Sequence, residues 1–176
     1  KEYTMGYVNI TKGWPNIYAV DLAVPVHSDH TDIVEGMCIY EDGGYWKKGC
    51  PNGRIPFITG PEQFPTALDV KRIQSSTFDN LGFTSPTASN GVVEMGRGNM
   101  GGISLTNAIE FQTDQFVSLV GGEVVYSITT TADAGKFLST AATATNQPCG
   151  YCRTVGVDEN GRSVATIIAQ PSLVLP

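Results

Sequence analysis

The stretch from residue 109 to residue 126 decides the fold of this chain, because an earlier stretch repeats its pattern. It reads Ile109-Glu-Phe-Gln-Thr-Asp-Gln-Phe-Val-Ser-Leu-Val-Gly-Gly-Glu-Val-Val-Tyr126, and the earlier one reads Val24-Pro-Val-His-Ser-Asp-His-Thr-Asp-Ile-Val-Glu-Gly-Met-Cys-Ile-Tyr40. With one residue inserted before Leu119, the aligned pairs are Val26 with Phe111, Asp29 with Asp114, Val34 with Val120, Gly36 with Gly122 and Tyr40 with Tyr126. Further on, Gly44-Tyr-Trp46 aligns with Gly135-Lys-Phe137. A repeated sequence pattern indicates a repeated structural unit, so we predict a duplicated β unit.

Composition favours short strands joined by turns. Charged residues make up 16% of the 176 residues, below the roughly 25% that is typical of soluble domains, while there are 20 glycines and 10 prolines. Residues 123–130 alternate, with Val124, Tyr126 and Ile128 on one face. Glu41-Asp-Gly-Gly44 and Asp158-Glu-Asn-Gly161 are typical of β-hairpin turns. We therefore predict an all-β protein with two related lobes, each a small barrel or sandwich.

The boundaries of these lobes follow from the repeat and from the turn-forming residues between its copies. We predict an irregular N-terminal arm over residues 1–18 and a first β lobe over 19–75. A loop-rich connection then covers 76–104, and the second β lobe covers 105–176.

The formal charge of −6 argues against two classes of partner. Sequence-independent binding to nucleic acid and binding to anionic membranes both use an excess of Lys and Arg. No run of about 18 apolar residues occurs, so no membrane-spanning helix is predicted. We expect neither nucleic acid nor a membrane as partner.

The four cysteines are Cys38, Cys50, Cys149 and Cys152. Cys149-Gly-Tyr-Cys152 has the spacing of a redox or zinc pair, but a thioredoxin-type pair needs a βαβ setting, and here Pro148 precedes it and a strand-like run follows. Cys38 and Cys50 are too far apart in sequence for the usual second zinc pair. We expect reduced, partly buried thiols, with a disulfide or a metal site as open alternatives.

A glycine-rich segment precedes the second copy. Gly96-Arg-Gly-Asn-Met-Gly101 matches the dinucleotide-binding pattern, but the helix that would bind the pyrophosphate is missing, since Gly102-Ile-Ser-Leu-Thr106 follows. Met100 stands where a trypsin-like protease carries its serine, and a thioether is not a nucleophile. We predict a tight loop inserted between neighbouring molecules, with partner contacts by Met95, Arg97 and Met100.

The only two histidines, His27 and His30, lie close to Asp29 and Asp32. A metal or hydrolytic centre could use such a group. The aligned positions in the second copy carry no metal ligands of this kind, so we interpret the group as a solvated turn between strands. We predict no catalytic residue, no cofactor and no metal.

The first 18 residues are rich in aromatic side chains. Large aromatic residues are favoured anchors in interfaces, so Tyr3, Tyr7 and Trp14 are predicted to contact a neighbouring subunit. The alternative is an arm packed on its own domain.

The order of motifs in the second copy resembles a known family. The motifs are Val120-Gly-Gly-Glu-Val-Val-Tyr126, Ala134-Gly-Lys-Phe-Leu138, Pro148-Cys-Gly-Tyr-Cys-Arg153 and Gly161-Arg-Ser-Val-Ala-Thr-Ile167. Together they resemble the small β domains of capsid decoration (cement) proteins of tailed phages, and Ile33-Val-Glu-Gly-Met-Cys-Ile-Tyr40 with Tyr45 and Trp46 resembles the same unit in the first copy. The chain departs from the pattern in its long insertion at 60–104 and in its four cysteines.

This resemblance implies a virion protein on the outer surface of a capsid. Its partner would be the major capsid protein, its own assembly a homo-oligomer with a trimer favoured, and its family has no catalytic residues to carry over. Two other functions share the composition. One is a phage tail-tube or other virion β protein, and the other is a carbohydrate-binding module that stacks sugars on Trp14, Tyr45 and Trp46.

Overall fold

The computed structural model of the protein describes residues 6–13, 20–30, 32–59, 99–139 and 146–169, apart from the side chains of 20–25, 28 and 99–101. The described part has no α-helix, which confirms the all-β prediction. Its strands are β1 (Val8–Lys12), β2 (Val20–Pro25), β3 (Cys38–Asp42), β4 (Tyr45–Lys48), β5 (Phe57–Thr59), β6 (Asn99–Ser104), β7 (Glu110–Thr113), β8 (Phe116–Ser118), β9 (Val124–Ser127), β10 (Phe137–Leu138), β11 (Pro148–Val157) and β12 (Ser163–Ile168). A short 3-10 turn covers Ser28–His30. These residues include no helix long and apolar enough to cross a membrane.

The strands form two sheets. The seven-stranded sheet has the order β1-β7-β12-β11-β9-β10-β8, and the five-stranded sheet has the order β2-β6-β5-β3-β4. All neighbouring strands are antiparallel except β8 and β10, which are parallel. In the smaller sheet Val26, directly after β2, forms a parallel bridge with Trp46 of β4.

The two halves of the chain pair their strands in the same order. From β7 the sequence of neighbours is β12, β11, β9, β10 and β8, and from β2 it is β6, β5, β3, β4 and Val26. Each pairing in this order has the same relative strand direction in both sheets, and the last pairing is parallel in both. The common origin of the halves and the closure of either sheet into a barrel stay predictions.

From Gly36 onward, the sequence alignment agrees with the strand register. Gly36 and Gly122 both have positive φ angles, 82° and 88°. Trp46 faces Glu41 as Phe137 faces Ser127, so the two aromatic residues occupy the same place in their hairpins.

Before Gly36 the alignment needs a correction. Val26 pairs with Trp46 where Phe116 pairs with Phe137, so Val26 corresponds to Phe116 and not to Phe111. The reason is the length of the connection: nine residues separate Val26 from Gly36, but only five separate Phe116 from Gly122.

Two of the predicted boundaries also change. Residues 8–12 of the supposed irregular arm are strand β1, because Val8 and Ile10 alternate into the core while β1 pairs with β7. Residues 99–104, placed at the end of the connection, form β6 between β2 and β5. The long insertion therefore lies inside the first half, after β5, and its residues 60–98 are outside the described part.

One large core joins the two halves. It combines residues of the five-stranded sheet with residues of the seven-stranded sheet, namely Cys38, Cys50, Ile58 and Ile103 with Phe111, Val125, Phe137, Cys149 and Ile167 among others. A smaller core of Val26, Ile33, Ile39 and Trp46 fills the other side of the five-stranded sheet. Neighbouring residues of a strand point to opposite faces, so Cys38 enters the shared core and Ile39 the smaller one.

Candidate functional site

All four cysteines are buried and free, in agreement with the prediction of reduced thiols. The Cys50 thiol donates to the Arg54 carbonyl at 3.4 Å, and the Cys149 thiol donates to the Gln147 carbonyl at 3.4 Å. Burial raises the pKa of Cys50, and a hydrogen bond with Cys38 together with burial raises the pKa of Cys149. The thiolate is the form that attacks or binds metal, so these thiols are held in the unreactive form.

The two histidines bind backbone amides with the same ring nitrogen. His27 Nδ1 accepts a hydrogen bond from the Asp29 amide, and His30 Nδ1 accepts one from the Lys48 amide, each at 3.1 Å. A neutral imidazole that accepts at Nδ1 carries its proton at Nε2. In this arrangement a backbone amide occupies the Nδ1 lone pair of each ring. Within the described part, no group of three or more His, Cys, Asp or Glu side chains is arranged to hold a metal.

The histidine turn is instead tied to β4. Burial, followed by the charge of Lys48, lowers the pKa of His30, which favours the neutral ring that accepts the Lys48 amide. The Lys48 ammonium lies 2.8 Å from the Asp32 carboxylate. Burial alone would raise the pKa of Asp32, but the hydrogen bond and charge of Lys48 outweigh it, so this pKa is lowered. The residues form a structural contact between the turn and the strand.

The aromatic residues proposed for sugar stacking are not all available. Trp46 is fully buried and packs edge-on against Phe57, with ring centroids 5.0 Å apart. Tyr45 is 39% exposed and has an edge contact with the His27 ring. Trp14 lies outside the described residues. The prediction that Trp46 belongs to a sugar-stacking platform is therefore wrong.

Of the predicted contact residues of the arm, Tyr7 alone lies in the described part of the chain. The Tyr7 amide donates to Asp114 Oδ1 at 2.9 Å, and the Arg162 guanidinium lies 4.7 Å from the centroid of the Tyr7 ring, a cation–π arrangement. Tyr7 thus packs on its own chain, which is the alternative stated for the arm. Tyr3 lies outside the described part, as Trp14 does.

The predicted glycine-rich loop is partly a strand. Met100 belongs to β6, where its backbone pairs with Val24 of β2, so the expectation that it lies in a loop is wrong. Its side chain is among those not described. Met95 and Arg97 lie outside the described residues.

Exposed apolar residues that the sequence did not predict lie on β8, on the turn that follows it and on β11 of the seven-stranded sheet. They are Val117, Val120, Tyr151, Val155 and Val157, which are 51%, 53%, 37%, 45% and 70% exposed. The β11–β12 register places Val155 and Val157 on the other face of the sheet from Tyr151, so we define the apolar surface by Val117, Val120 and Tyr151 alone. The Gly122 amide donates to the Cys152 carbonyl at 2.7 Å, so the turn that carries Val120 lies beside β11. Apolar alternation in a strand predicts burial. In the sequence, only the strong hairpin pattern at residues 158–161 indicated that β11 ends at a turn.

The middle of β11 anchors this surface to the rest of the sheet. Arg153 is the extra residue of an irregularity in the β11–β12 register, and its guanidinium lies 2.8 Å from Glu110 Oε2 on β7. Burial would raise the pKa of Glu110, but hydrogen bonds from Thr11 and Arg153 outweigh it and lower the pKa. The ion pair links the irregularity in β11 to β7.

Comparisons with family models, with curated proteins and with solved structures found no match for this chain.

Proposed function

We propose that the protein is a non-catalytic structural protein of a virion, which binds the outer surface of a phage capsid and stabilises contacts between major capsid subunits. The observation that carries this proposal is the apolar surface formed by Val117, Val120 and Tyr151. Single exposed apolar residues are ordinary, but a group of them on adjoining segments is typical of a site that binds another protein.

The fold suits such a role. Because both sheets contribute to one large core, the two halves cannot separate without exposing it to water. A rigid unit loses little conformational freedom when it binds. On a symmetric shell, many weak contacts of this kind add up to strong attachment without any single tight site.

Further contacts are proposed from the sequence. They are Tyr3, Tyr7 and Trp14 of the arm and Met95, Arg97 and Met100 of the glycine-rich segment. Among these, Tyr7 is already engaged by Asp114 and Arg162 of its own chain, which weakens its case. A homo-oligomer with a trimer favoured remains part of the proposal.

We also propose that the two halves arose by duplication of one strand unit. The support is the identical order of strand neighbours in both sheets, with a parallel pairing as the last step in each. The buried Trp46 and Phe137 at equivalent hairpin positions add to it.

The test of the proposed function is co-sedimentation of the purified protein with phage capsids from which this protein is absent. The variant Val117→Asp/Val120→Asp places two charges on the apolar surface, and we expect its occupancy on capsids to fall by at least about tenfold. Ile55→Asp is the matched control. Ile55 is similarly exposed, but it precedes β5, which belongs to the five-stranded sheet.

Two results would contradict the proposal. One is undiminished occupancy of the double variant. The other is assembly of the protein alone into rings or tubes, which is the behaviour of a tail-tube protein.

A further inference from the structure

Three of the four cysteines lie where the two halves of the chain meet. Cys38 begins β3 of the first half, Cys50 follows β4, and Cys149 belongs to β11 of the second half. All three are fully buried in the large shared core. The proposed function uses none of them, and cysteine differs from other small core residues because two thiols can be joined by oxidation.

The backbones of the two halves come unusually close at this place. The Cys38 amide donates to the Gly135 carbonyl at 2.8 Å, so β3 is hydrogen-bonded directly to the second half. The Gln147 amide, two residues before Cys149, donates to the Cys50 carbonyl at 3.1 Å. Packed sheets ordinarily lie about 10 Å apart, which is too far for two cysteine side chains to be joined. Direct backbone contact here allows such short side chains to meet.

The directions of the thiols select one pair. The Cys38 and Cys149 thiols are joined by a hydrogen bond across the two halves. The Cys50 thiol is turned instead toward the Arg54 carbonyl of its own loop, at 3.4 Å. The Cys152 thiol lies near a carbonyl of its own strand. Among the four cysteines, Cys38 and Cys149 are therefore the two whose sulfur atoms contact each other.

We propose that Cys38 and Cys149 form a disulfide bond under oxidising conditions, which joins the two halves of the chain covalently. The structure with four free thiols is then the reduced state. The two residues are 111 positions apart in the sequence. A disulfide restricts the unfolded chain more strongly as the loop that it closes becomes longer, so the oxidised state is the more stable one.

A small disulfide such as oxidised glutathione is the oxidant. The thiolate of one cysteine attacks it and releases one glutathione thiolate, and the second cysteine then attacks the protein sulfur of the mixed disulfide and releases the other. Two protons and two electrons leave the cysteine pair, and one glutathione disulfide becomes two thiols. A hydrogen bond with Cys38 and burial raise the pKa of Cys149 in the folded protein, so the bond forms while the core is still open.

The proposed function supplies a setting for both states. A virion assembles inside a reducing cell and is released into oxidising surroundings, where disulfides persist. The inference rests on the proposed function for this setting alone, because purified protein shows the bond without any capsid.

Refolding of the purified protein with oxidised glutathione tests the pair. We expect the number of thiols that react in denaturant to fall from four to two. Peptide mapping by mass spectrometry without reductant should show the Cys38 peptide linked to the Cys149 peptide. The urea midpoint of the oxidised protein should exceed that of the reduced protein by at least about 1 M, because the closed loop is long.

Cys149→Ala and Cys50→Ala are a matched pair of variants, because both residues are fully buried in the same core. We expect Cys50→Ala to keep the disulfide and its effect on the urea midpoint, and Cys149→Ala to lose both. Cys38→Ala should behave as Cys149→Ala does. Where an alanine variant does not fold, the linked peptides of the parent protein decide.

Three results would each overturn the inference. They are four reactive thiols after oxidative refolding, a linkage through Cys50 or Cys152, and equal urea midpoints of the oxidised and reduced protein. Oxidised protein that carries the bond but does not bind capsids would instead overturn the proposed function. Protein that binds capsids and never forms the bond would overturn the inference alone.

Discussion

Gly102 lies directly against the indole of Trp46: a Cβ on Gly102 would be 2.9 Å from both Cζ2 and Cη2 of that ring. Gly102 belongs to β6, and Trp46 fills the small core between β6 and the turn after β2. The contact explains why β6 carries a glycine at position 102. It also shows that the insertion in the first half returns to complete the sheet around a buried tryptophan.

Gly102→Ala is expected to destabilise the protein by about 1–3 kcal/mol, because the added methyl group overlaps the ring and the smaller core must shift. Urea unfolding followed by Trp fluorescence measures the change. Gly156→Ala is the control: nothing lies near its Cβ, so its stability should stay within about 0.5 kcal/mol or rise slightly. Equal losses in the two variants would argue against the described packing of Trp46.

Thr113→Val is expected to cost about 1–3 kcal/mol although the two side chains have the same shape. The Thr113 hydroxyl donates to the Gly36 carbonyl at 2.9 Å and accepts from the Gln115 amide at 3.0 Å, in a fully buried place. Valine leaves both backbone groups without this partner. Thr154→Val, on the exposed part of β11, serves as the control in the same urea titration and should be close to neutral. A neutral Thr113→Val would show that this contact between the halves contributes nothing.

Acidification is expected to weaken the turn that carries His30. The pKa of His30 in the folded protein lies below that of an unfolded histidine, so its contribution to stability is complete above about pH 6.5 and is lost as the pH falls toward the folded pKa. NMR titration of His30 should give a midpoint below that of a free histidine, and protonation should release the Lys48 amide to exchange.

His30→Asn tests this directly, since an asparagine oxygen can accept the same amide without titrating. The variant should lose less unfolding free energy than the parent protein between pH 7.5 and pH 5.5. An unchanged pH profile would contradict the assigned role of His30.

The thiols are expected to resist an aromatic disulfide reagent in the native protein and to react fully in denaturant. Burial raises the pKa of Cys50 and Cys152 and contributes to raising that of Cys149, so little thiolate is present near neutral pH. The absorbance of the released reagent counts reactive thiols in each state. Rapid reaction of any cysteine in the folded protein would contradict its described burial.

Local patterns in the sequence were enough to predict the strand content and to align the two copies correctly from Gly36 onward. Gly36, Tyr40 and Trp46 align correctly with Gly122, Tyr126 and Phe137, because turn glycines and core aromatics have requirements that are visible in the sequence. The early part of the alignment failed since the connections differ in length and carry no such markers.

Pairing between distant strands could not be predicted in this way. β6 contains Gly101 and Gly102, so its sequence is typical of a loop. The contact that accounts for Gly102, with the distant Trp46, is visible only in the folded sheet. Likewise, Val155 and Val157 look like core residues in the sequence, and only the register of β11 shows that no described strand covers their edge.

The most direct test of the proposed function is electron cryomicroscopy of phage capsids that carry this protein. The account predicts density for the two-sheet unit on the outer surface, with Val117 and Val120 turned toward major capsid subunits. Capsids without such density, or a bound protein whose Val117 and Val120 face solvent, would contradict it.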